Sequence, residues 1–72
     1  MSPKEAANKV RKGQGPKGID RIDRPKIKGE QWHAHLGRGE GSPAINIDGT
    51  WKHANGLTKQ QADFLREAGW EV

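Results

Sequence analysis

The pentapeptide Trp32-His33-Ala34-His35-Leu36 alternates apolar and polar residues with a period of two, which is typical of a strand with one buried face. On such a strand Trp32, Ala34 and Leu36 face the core. His33 and His35 share the opposite face, about 6.6 Å apart along the strand, where we expect solvent or a ligand to reach them. Because imidazole exchanges protons near neutral pH and binds metals, this strand is the first candidate for a functional site.

The sequence also predicts an extended segment before this strand. Residues 19–24 repeat Ile-Asp-Arg, a period of three that fits neither a helix nor a regular strand. Pro25 permits at most an edge strand there, because proline has no N–H to donate to a neighbour. Residues 37–42 are glycine-rich but lack the Gly-Lys-Ser/Thr ending of a phosphate-binding loop, so we interpret them as a hairpin connection.

A hairpin is predicted after this loop. Residues 43–47 alternate again, which predicts a strand whose isoleucines face inward. Asp48-Gly49 is a strong turn signal, and residues 50–53 would return as a further strand. A plain two-residue turn would send Trp51 to the polar face, whereas a one-residue bulge would turn it inward. The sequence leaves both arrangements open.

Helices are predicted at both ends of the chain. Ser2 is a favourable N-cap for a first helix that Gly13 ends. Thr58 and Gln61 form the capping box of a second helix, and Gly69 occupies the position of a left-handed terminating residue. The order helix, three strands, helix predicts a small α+β domain with a three-stranded antiparallel sheet.

The composition bounds the organisation of the chain. We expect a single domain over residues 1–72, with a basic helix and glycine-rich loop in 1–18 and the sheet and second helix in 19–72. The absence of cysteine excludes disulfides and thiolate metal sites. No apolar run is long enough for a membrane span and no secretory signal is recognisable, so no membrane partner is expected. The large apolar residues expected to build the core are Ile27, Trp32, Leu36, Ile45, Ile47, Trp51, Leu57, Phe64, Leu65 and Trp70.

The charge is unevenly distributed along the chain. Residues 1–30 carry nine Lys/Arg against four Asp/Glu, whereas residues 31–72 carry four against five. A basic half beside a near-neutral half indicates an anionic partner, for which nucleic acid is the first candidate.

The candidate residues suit RNA cleavage. The 2′-hydroxyl must lose a proton as it attacks phosphorus, and the departing 5′-oxygen must gain one, which groups with pKa near 7 can do without a metal. His35 is the first candidate for proton transfer because it lies nearest the loop end of its strand, followed by His33 and His53. Lys52 is a further catalytic candidate, because its cation would hold the phosphate and stabilise charge in the transition state. Arg38 would hold the phosphate as well.

Further residues are candidates for substrate binding. Thr50 could donate a hydrogen bond, and Trp51 could serve as a base-stacking platform instead of joining the core. Lys26 and Lys28 belong to the basic half that would bind the RNA backbone. Glu40 is a weaker candidate base in the glycine-rich loop.

Other interpretations stay open at this point. A zinc ion could be held by His33 and His35 with His53 from a neighbouring strand, although the ribonuclease hypothesis needs no cofactor. The histidines could instead be ordinary polar-face strand residues. The chain could also be a non-catalytic RNA- or DNA-binding module, or a small protein-interaction or inhibitor domain that uses Trp51 and the glycine-rich loop.

Four segments of residues 15–72 carry a resemblance to a known group of proteins: GEQWHAHL (29–36), SPAINIDGTWKH (42–53), LT (57–58) and FLREAGW (64–70). Through them the chain resembles the C-terminal toxin tips of bacterial polymorphic toxins of the LXG and contact-dependent inhibition types. The resemblance implies an endoribonuclease used in bacterial competition, secreted or delivered into the target-cell cytoplasm. It also implies a dedicated immunity protein, which should be acidic and cover the histidines.

A second resemblance is to HicA-type mRNA interferase toxins. It implies the helix–three strands–helix order of a double-stranded-RNA-binding-like fold. It also implies a catalytic strand histidine, which His33 or His35 would match. Those proteins have a glycine-serine before the histidine, whereas Gln31-Trp32 stands here, and the 48–53 segment lies outside their pattern. This resemblance therefore bears on the order of elements more than on mechanism.

Overall fold

The fold is a three-stranded antiparallel sheet with both helices on one of its faces. The computed structural model describes residues 1–38, 41–51 and 56–72. The strands lie side by side in the order in which they occur in the chain, which confirms the predicted small α+β architecture. Within the described ranges no helix is both long and apolar enough to cross a membrane. In chain order the elements are α1 (Pro3–Arg11), β1 (Arg21–Asp23), β2 (His33–His35), β3 (Ala44–Asn46) and α2 (Lys59–Glu67).

Helix α1 begins and ends where local sequence signals predict. The Ser2 hydroxyl accepts from the backbone N–H of Glu5 at 3.2 Å, and the Glu5 carboxylate accepts from the Ser2 N–H at 2.9 Å. These two bonds form a capping box that satisfies backbone donors at the first turn. At the other end Gly13 has a φ of +77°, which turns the chain away from the helix axis. Ala6 and Val10 form its buried face.

Helix α2 has equally local causes. The Thr58 hydroxyl accepts from the Gln61 N–H at 3.2 Å, and the Gln61 side chain accepts from the Thr58 N–H at 3.0 Å. Gly69, with a φ of +105°, allows the Trp70 N–H to reach the Leu65 carbonyl oxygen at 2.9 Å. This is a Schellman ending, and it directs the Trp70 ring into the core.

The core lies between the sheet and the helices. Register pairs Ile22 with Ala34 and Ala34 with Ile45, so these three side chains form the inward row of the sheet. The buried core consists of Ala6, Val10, Ile19, Ile22, Ala34, Ile45, Leu65, Ala68 and Trp70. Partly buried around it are Ala7, Trp32, Leu36, Ile47, Trp51, Leu57, Phe64 and Val72.

One predicted core residue is on the surface. Ile27 is 71% exposed, and the prediction that it builds the core is wrong. It opens a turn in which the Glu30 N–H bonds to the Ile27 carbonyl oxygen at 3.1 Å, so its side chain has no facing layer. The core instead uses Ile19 and Ile22 of the Ile-Asp-Arg repeat, because the repeat passes under α1 as the edge strand that the sequence allows.

The hairpin after β3 adopts the bulged alternative. Trp51 forms an isolated bridge with Ile45, and the Asn46 N–H donates to the Thr50 carbonyl oxygen at 2.8 Å. The loop therefore contains three residues and ends at Gly49, whose φ is +89°. Trp51 is consequently directed inward and packs against the core. The predicted return strand beyond it, residues 52–53, lies outside the described residues.

Candidate active site on the outer face of the sheet

Four polar side chains share the outer face, which is the face of the sheet turned away from both helices. Register places Asp23 opposite His33 and Arg21 opposite His35. Since alternate residues of a strand point to the same side, all four lie opposite the buried row of Ile22. The pairing of β1 with β2 thus brings each of the two β1 residues beside a histidine that is at least ten positions away in the chain.

One carboxylate oxygen is the centre of this cluster. His35 Nε2 lies 3.2 Å from Asp23 Oδ2, and Arg21 Nε donates to the same oxygen at 3.0 Å. His33 Nε2 lies 3.8 Å from it, which is longer than a hydrogen bond. The two imidazole rings meet edge to face with their centroids 5.0 Å apart. The Arg21 guanidinium also comes within 3.5 Å of His35 Nε2.

The two histidines differ in exposure. His33 is only 6% exposed, so the prediction that solvent or a ligand reaches both rings is wrong for His33. Its ring lies against that of His35, and its Nδ1 donates to the Gln31 carbonyl oxygen at 2.8 Å. His35 is partly buried and is the more accessible imidazole of the pair.

Gln31 also connects the site to the hairpin turn. Its side-chain amide donates to Asp48 Oδ2 at 3.1 Å and accepts from the Asp48 N–H at 3.2 Å. The side chain therefore holds the turn, while the backbone carbonyl of the same residue holds His33.

The surroundings set the charge of His35 and Asp23. Burial lowers the pKa of His35 because it penalises the imidazolium, and the Arg21 cation lowers it further against the opposing influence of Asp23. Partial burial raises the pKa of Asp23, but the hydrogen bond and charge of Arg21 outweigh it and hold that pKa below its usual value. At neutral pH the site therefore holds a carboxylate and a neutral imidazole.

This charge state assigns the ring protons of His35. A carboxylate only accepts hydrogen bonds, so Nε2 of His35 is assigned the proton that faces Asp23. Nδ1 is then the unprotonated nitrogen and is able to accept a proton. Asp23 orients the ring, and Arg21 supplies a fixed positive charge beside it.

The other predicted site residues lie at different distances from this cluster. Arg38 is almost fully exposed and contacts Asp20 at 3.4 Å, and Asp20 in turn lies 3.7 Å from Arg21. The Thr50 hydroxyl is engaged in the hairpin turn, where it donates to Asp48 at 2.6 Å. Lys26 and Lys28 are exposed in the connection between β1 and β2.

The remaining predicted site residues are not part of this cluster as described. Lys52, His53 and Glu40 lie outside the described residues. The arrangement does not place Trp51 on the outer face, because its indole packs against the core.

Sequence reasoning missed Arg21 and Asp23 as site residues. The available signal was the Ile-Asp-Arg repeat, which spaces Arg21 and Asp23 two residues apart and so places them on one face of a strand. Their partners on β2 follow only from the register, which the sequence does not contain.

The same cluster has the donor set of a metal site. Asp23, His33 and His35 each offer one ligand atom, and these atoms lie within 4.8 Å of one another. The group could hold a metal ion with Asp23 in the place that the sequence analysis gave to His53. Two imidazoles and a carboxylate are ligands that zinc accepts.

No protein-family profile, curated protein or solved structure matches this chain. The geometry of the outer face is therefore the basis for a functional assignment.

Proposed function

We propose that this chain is an endoribonuclease toxin domain that cleaves RNA by metal-independent acid–base catalysis. The observation that supports this proposal is the Asp23 carboxylate, which orients His35 at 3.2 Å and Arg21 at 3.0 Å on one face of the sheet. A neutral imidazole, a carboxylate that orients it and a permanent cation are the parts that phosphodiester transfer requires.

In the proposed reaction, His35 Nδ1 accepts the proton of the ribose 2′-hydroxyl as that oxygen attacks phosphorus. The Arg21 guanidinium stabilises the negative charge that develops on the phosphoryl oxygens. The bond from phosphorus to the 5′-oxygen breaks as that oxygen takes a proton from a general acid. His53 is the sequence candidate for this acid, because the Nδ1 proton of His33 is bound to the Gln31 carbonyl oxygen. The products are a 2′,3′-cyclic phosphate and a 5′-hydroxyl, and the step involves no change of oxidation state.

The distribution of charge extends this proposal to partners. The basic N-terminal half would attract the RNA backbone without sequence preference. An immunity protein that neutralises such a domain would carry an acidic surface complementary to that half and would cover His35. In this proposal the domain acts in the cytoplasm of a competing bacterial cell after delivery.

The test is incubation of the purified domain with total RNA in excess EDTA, beside a His35→Gln variant whose fold is checked by circular dichroism. We expect fragments with 2′,3′-cyclic phosphate ends from the wild type and intact RNA from the variant. Equal cleavage by both proteins would overturn the assignment of His35. Intact RNA in both tubes, with salt-sensitive RNA binding, would favour the non-catalytic RNA- or DNA-binding module.

A metal-dependent reaction is the second candidate, and one observation favours it. His33 donates from Nδ1 to a backbone carbonyl, which leaves Nε2 directed toward Asp23 and His35, as in histidines that ligate metals. Arg21 opposes a metal, because its Nε already occupies the carboxylate oxygen that faces the rings. Zinc that restores cleavage after EDTA treatment, together with zinc binding lost in Asp23→Asn, would establish this alternative.

A further inference from the structure

A basic groove lies beside α1, at the end of the sheet where β1 ends and β2 begins. It has a volume of about 340 Å³. Its α1 side is built by residues spaced three and four apart, which places them on one stripe of the helix surface. The residues that line the groove are Lys4, Ala7, Asn8, Arg11, Ile22, Arg24 and Trp32.

The three cations of the groove are not neutralised. Among the described residues, no carboxylate forms an ion pair with Lys4, Arg11 or Arg24, whereas Arg21 and Arg38 each contact at least one. Within the described ranges the Arg11 side chain donates to a neutral acceptor, the Asn8 amide oxygen, at 3.1 Å. Clustered cations without counter-charges create a positive potential that favours an anionic ligand with several charges.

The groove also offers an aromatic surface. Trp32 is partly buried and contributes to the groove wall, and an indole face stacks on any nucleobase. The adjacent Asn8 side chain has amide N–H groups that can donate to a base edge, while its oxygen accepts from Arg11. Phosphate-binding cations together with a stacking ring and an amide suit a nucleotide chain better than an isolated phosphate ion.

The position of the groove relates it to the candidate active site. Arg24 directly follows Asp23, and Trp32 directly precedes His33, so each strand contributes neighbouring residues to both places. Because neighbours on a strand point to opposite faces, the groove and the outer face meet at this end of the sheet. A bound chain that leaves the groove around this end would pass the pair Asp23 and His33 before it came to His35.

We propose that the basic groove is a subsite for single-stranded RNA, in which Lys4, Arg11 and Arg24 hold phosphates and one base stacks on Trp32. That the bound strand is then cut at His35 rests on the ribonuclease function proposed above. Binding in the groove does not require cleavage and can be measured separately.

The test uses a fluorescein-labelled single-stranded 2′-O-methyl oligonucleotide, which lacks the attacking hydroxyl, and records fluorescence anisotropy at several salt concentrations. The groove variant carries Lys4→Gln, Arg11→Gln and Arg24→Gln together. Loss of three phosphate contacts reduces the slope of log K against log salt by about 2, from about 0.7 per contact on single strands. At 0.1 M salt this corresponds to binding about a hundredfold weaker.

The matched control removes the same charge elsewhere. Lys9→Gln, Lys12→Gln and Lys17→Gln change three exposed lysines that do not line the groove, two of them on or beside the same helix. We expect the control variant to change the salt slope by less than half as much. Equal weakening by the groove and control variants would overturn the subsite.

Nuclear magnetic resonance locates the stacked base. Saturation with the oligonucleotide should shift the indole N–H signal of Trp32, while that of Trp70 serves as an internal reference because its N–H is buried against a backbone carbonyl of β3. An unmoved Trp32 signal would overturn stacking. If polyglutamate bound as tightly as the oligonucleotide with that signal unmoved, the groove would belong to an acidic protein partner and the RNA subsite would be rejected.

The design separates the two proposals. Oligonucleotide binding by the groove in both the wild type and His35→Gln, with no cleavage of RNA by either, would retain the subsite and reject the ribonuclease. Cleavage of RNA that is equal in the wild type and the groove variant, with equal oligonucleotide affinity, would reject the subsite and retain the ribonuclease.

Discussion

Replacing Asp23 with asparagine tests the centre of the site. The side chain keeps its size but loses the charge that binds Arg21 at 3.0 Å and His35 at 3.2 Å. The Arg21 side chain is 54% exposed, so that pair lies in the range of about 0–1 kcal/mol for surface ion pairs. Together with the partly buried bond to His35, we expect a loss of about 1 kcal/mol in unfolding free energy.

The effect on catalysis should be much larger than the effect on stability. An unoriented base forfeits much of the about 10²–10⁴-fold that positioned proton transfer provides, so we expect cleavage at least about a hundredfold slower. The pKa of His35 should also fall further, because the Asp23 carboxylate is the group that raises it.

The assays are cleavage of a fluorescence-quenched RNA oligonucleotide, urea unfolding and an NMR titration of His35. Asp63→Asn is the matched control, since it loses ion pairs to Lys59 and Arg66 on α2 without touching the outer face. We expect the control to cleave at the wild-type rate. Cleavage by Asp23→Asn at the same rate as the control, or a rise in the pKa of His35, would refute the reasoning.

Three further predictions concern pH and packing. Because the pKa of His35 is lowered on folding, the stability it contributes is complete above its unfolded pKa of about 6.5 and is lost as the pH falls toward the folded value. Urea unfolding at pH 8 and 5.5 should show this loss, and an equal loss in His35→Gln would contradict it. Trp70→Phe removes an indole N–H that donates to a buried carbonyl of β3 at 3.1 Å, and should cost about 1–3 kcal/mol in denaturant unfolding; an unchanged midpoint would show that this bond contributes nothing. Gly49→Ala places a methyl group against the Glu71 carbonyl oxygen at a φ of +89° and should cost about 1–3 kcal/mol. Thermal unfolding should show a smaller cost for Gly41→Ala, which has a φ of +79° but no described atom within 4 Å of the added methyl; equal costs would argue against the contact.

The elements of this fold that the sequence predicts correctly have local causes. The capping residues Ser2 and Thr58 and the terminating Gly69 act within one helical turn, so their spacing is visible in the sequence. The alternation around Ala34 likewise identifies β2 and its buried side. Ile27 was misplaced because its exposure depends on where the chain turns between β1 and β2, which no local pattern records.

The candidate site was predictable only in part. His33 and His35 could be identified because they lie on one strand, where a period of two is enough. Asp23 and Arg21 join them through the pairing of β1 with β2, and the burial of His33 follows from its neighbours across and along the sheet. Long-range register thus decides which imidazole is exposed and which group orients it.

The double hydrogen bond between Gln31 and Asp48 has a consequence for the construction of chimeric proteins. The tip of the β3 hairpin and the imidazole of His33 belong to one hydrogen-bonded unit, joined through a single residue that lies outside both. A graft that replaces only the hairpin by one without an acid at position 48 would leave the Gln31 amide without its acceptor. The exchangeable module therefore begins at Gln31 and includes β2 as well as the hairpin.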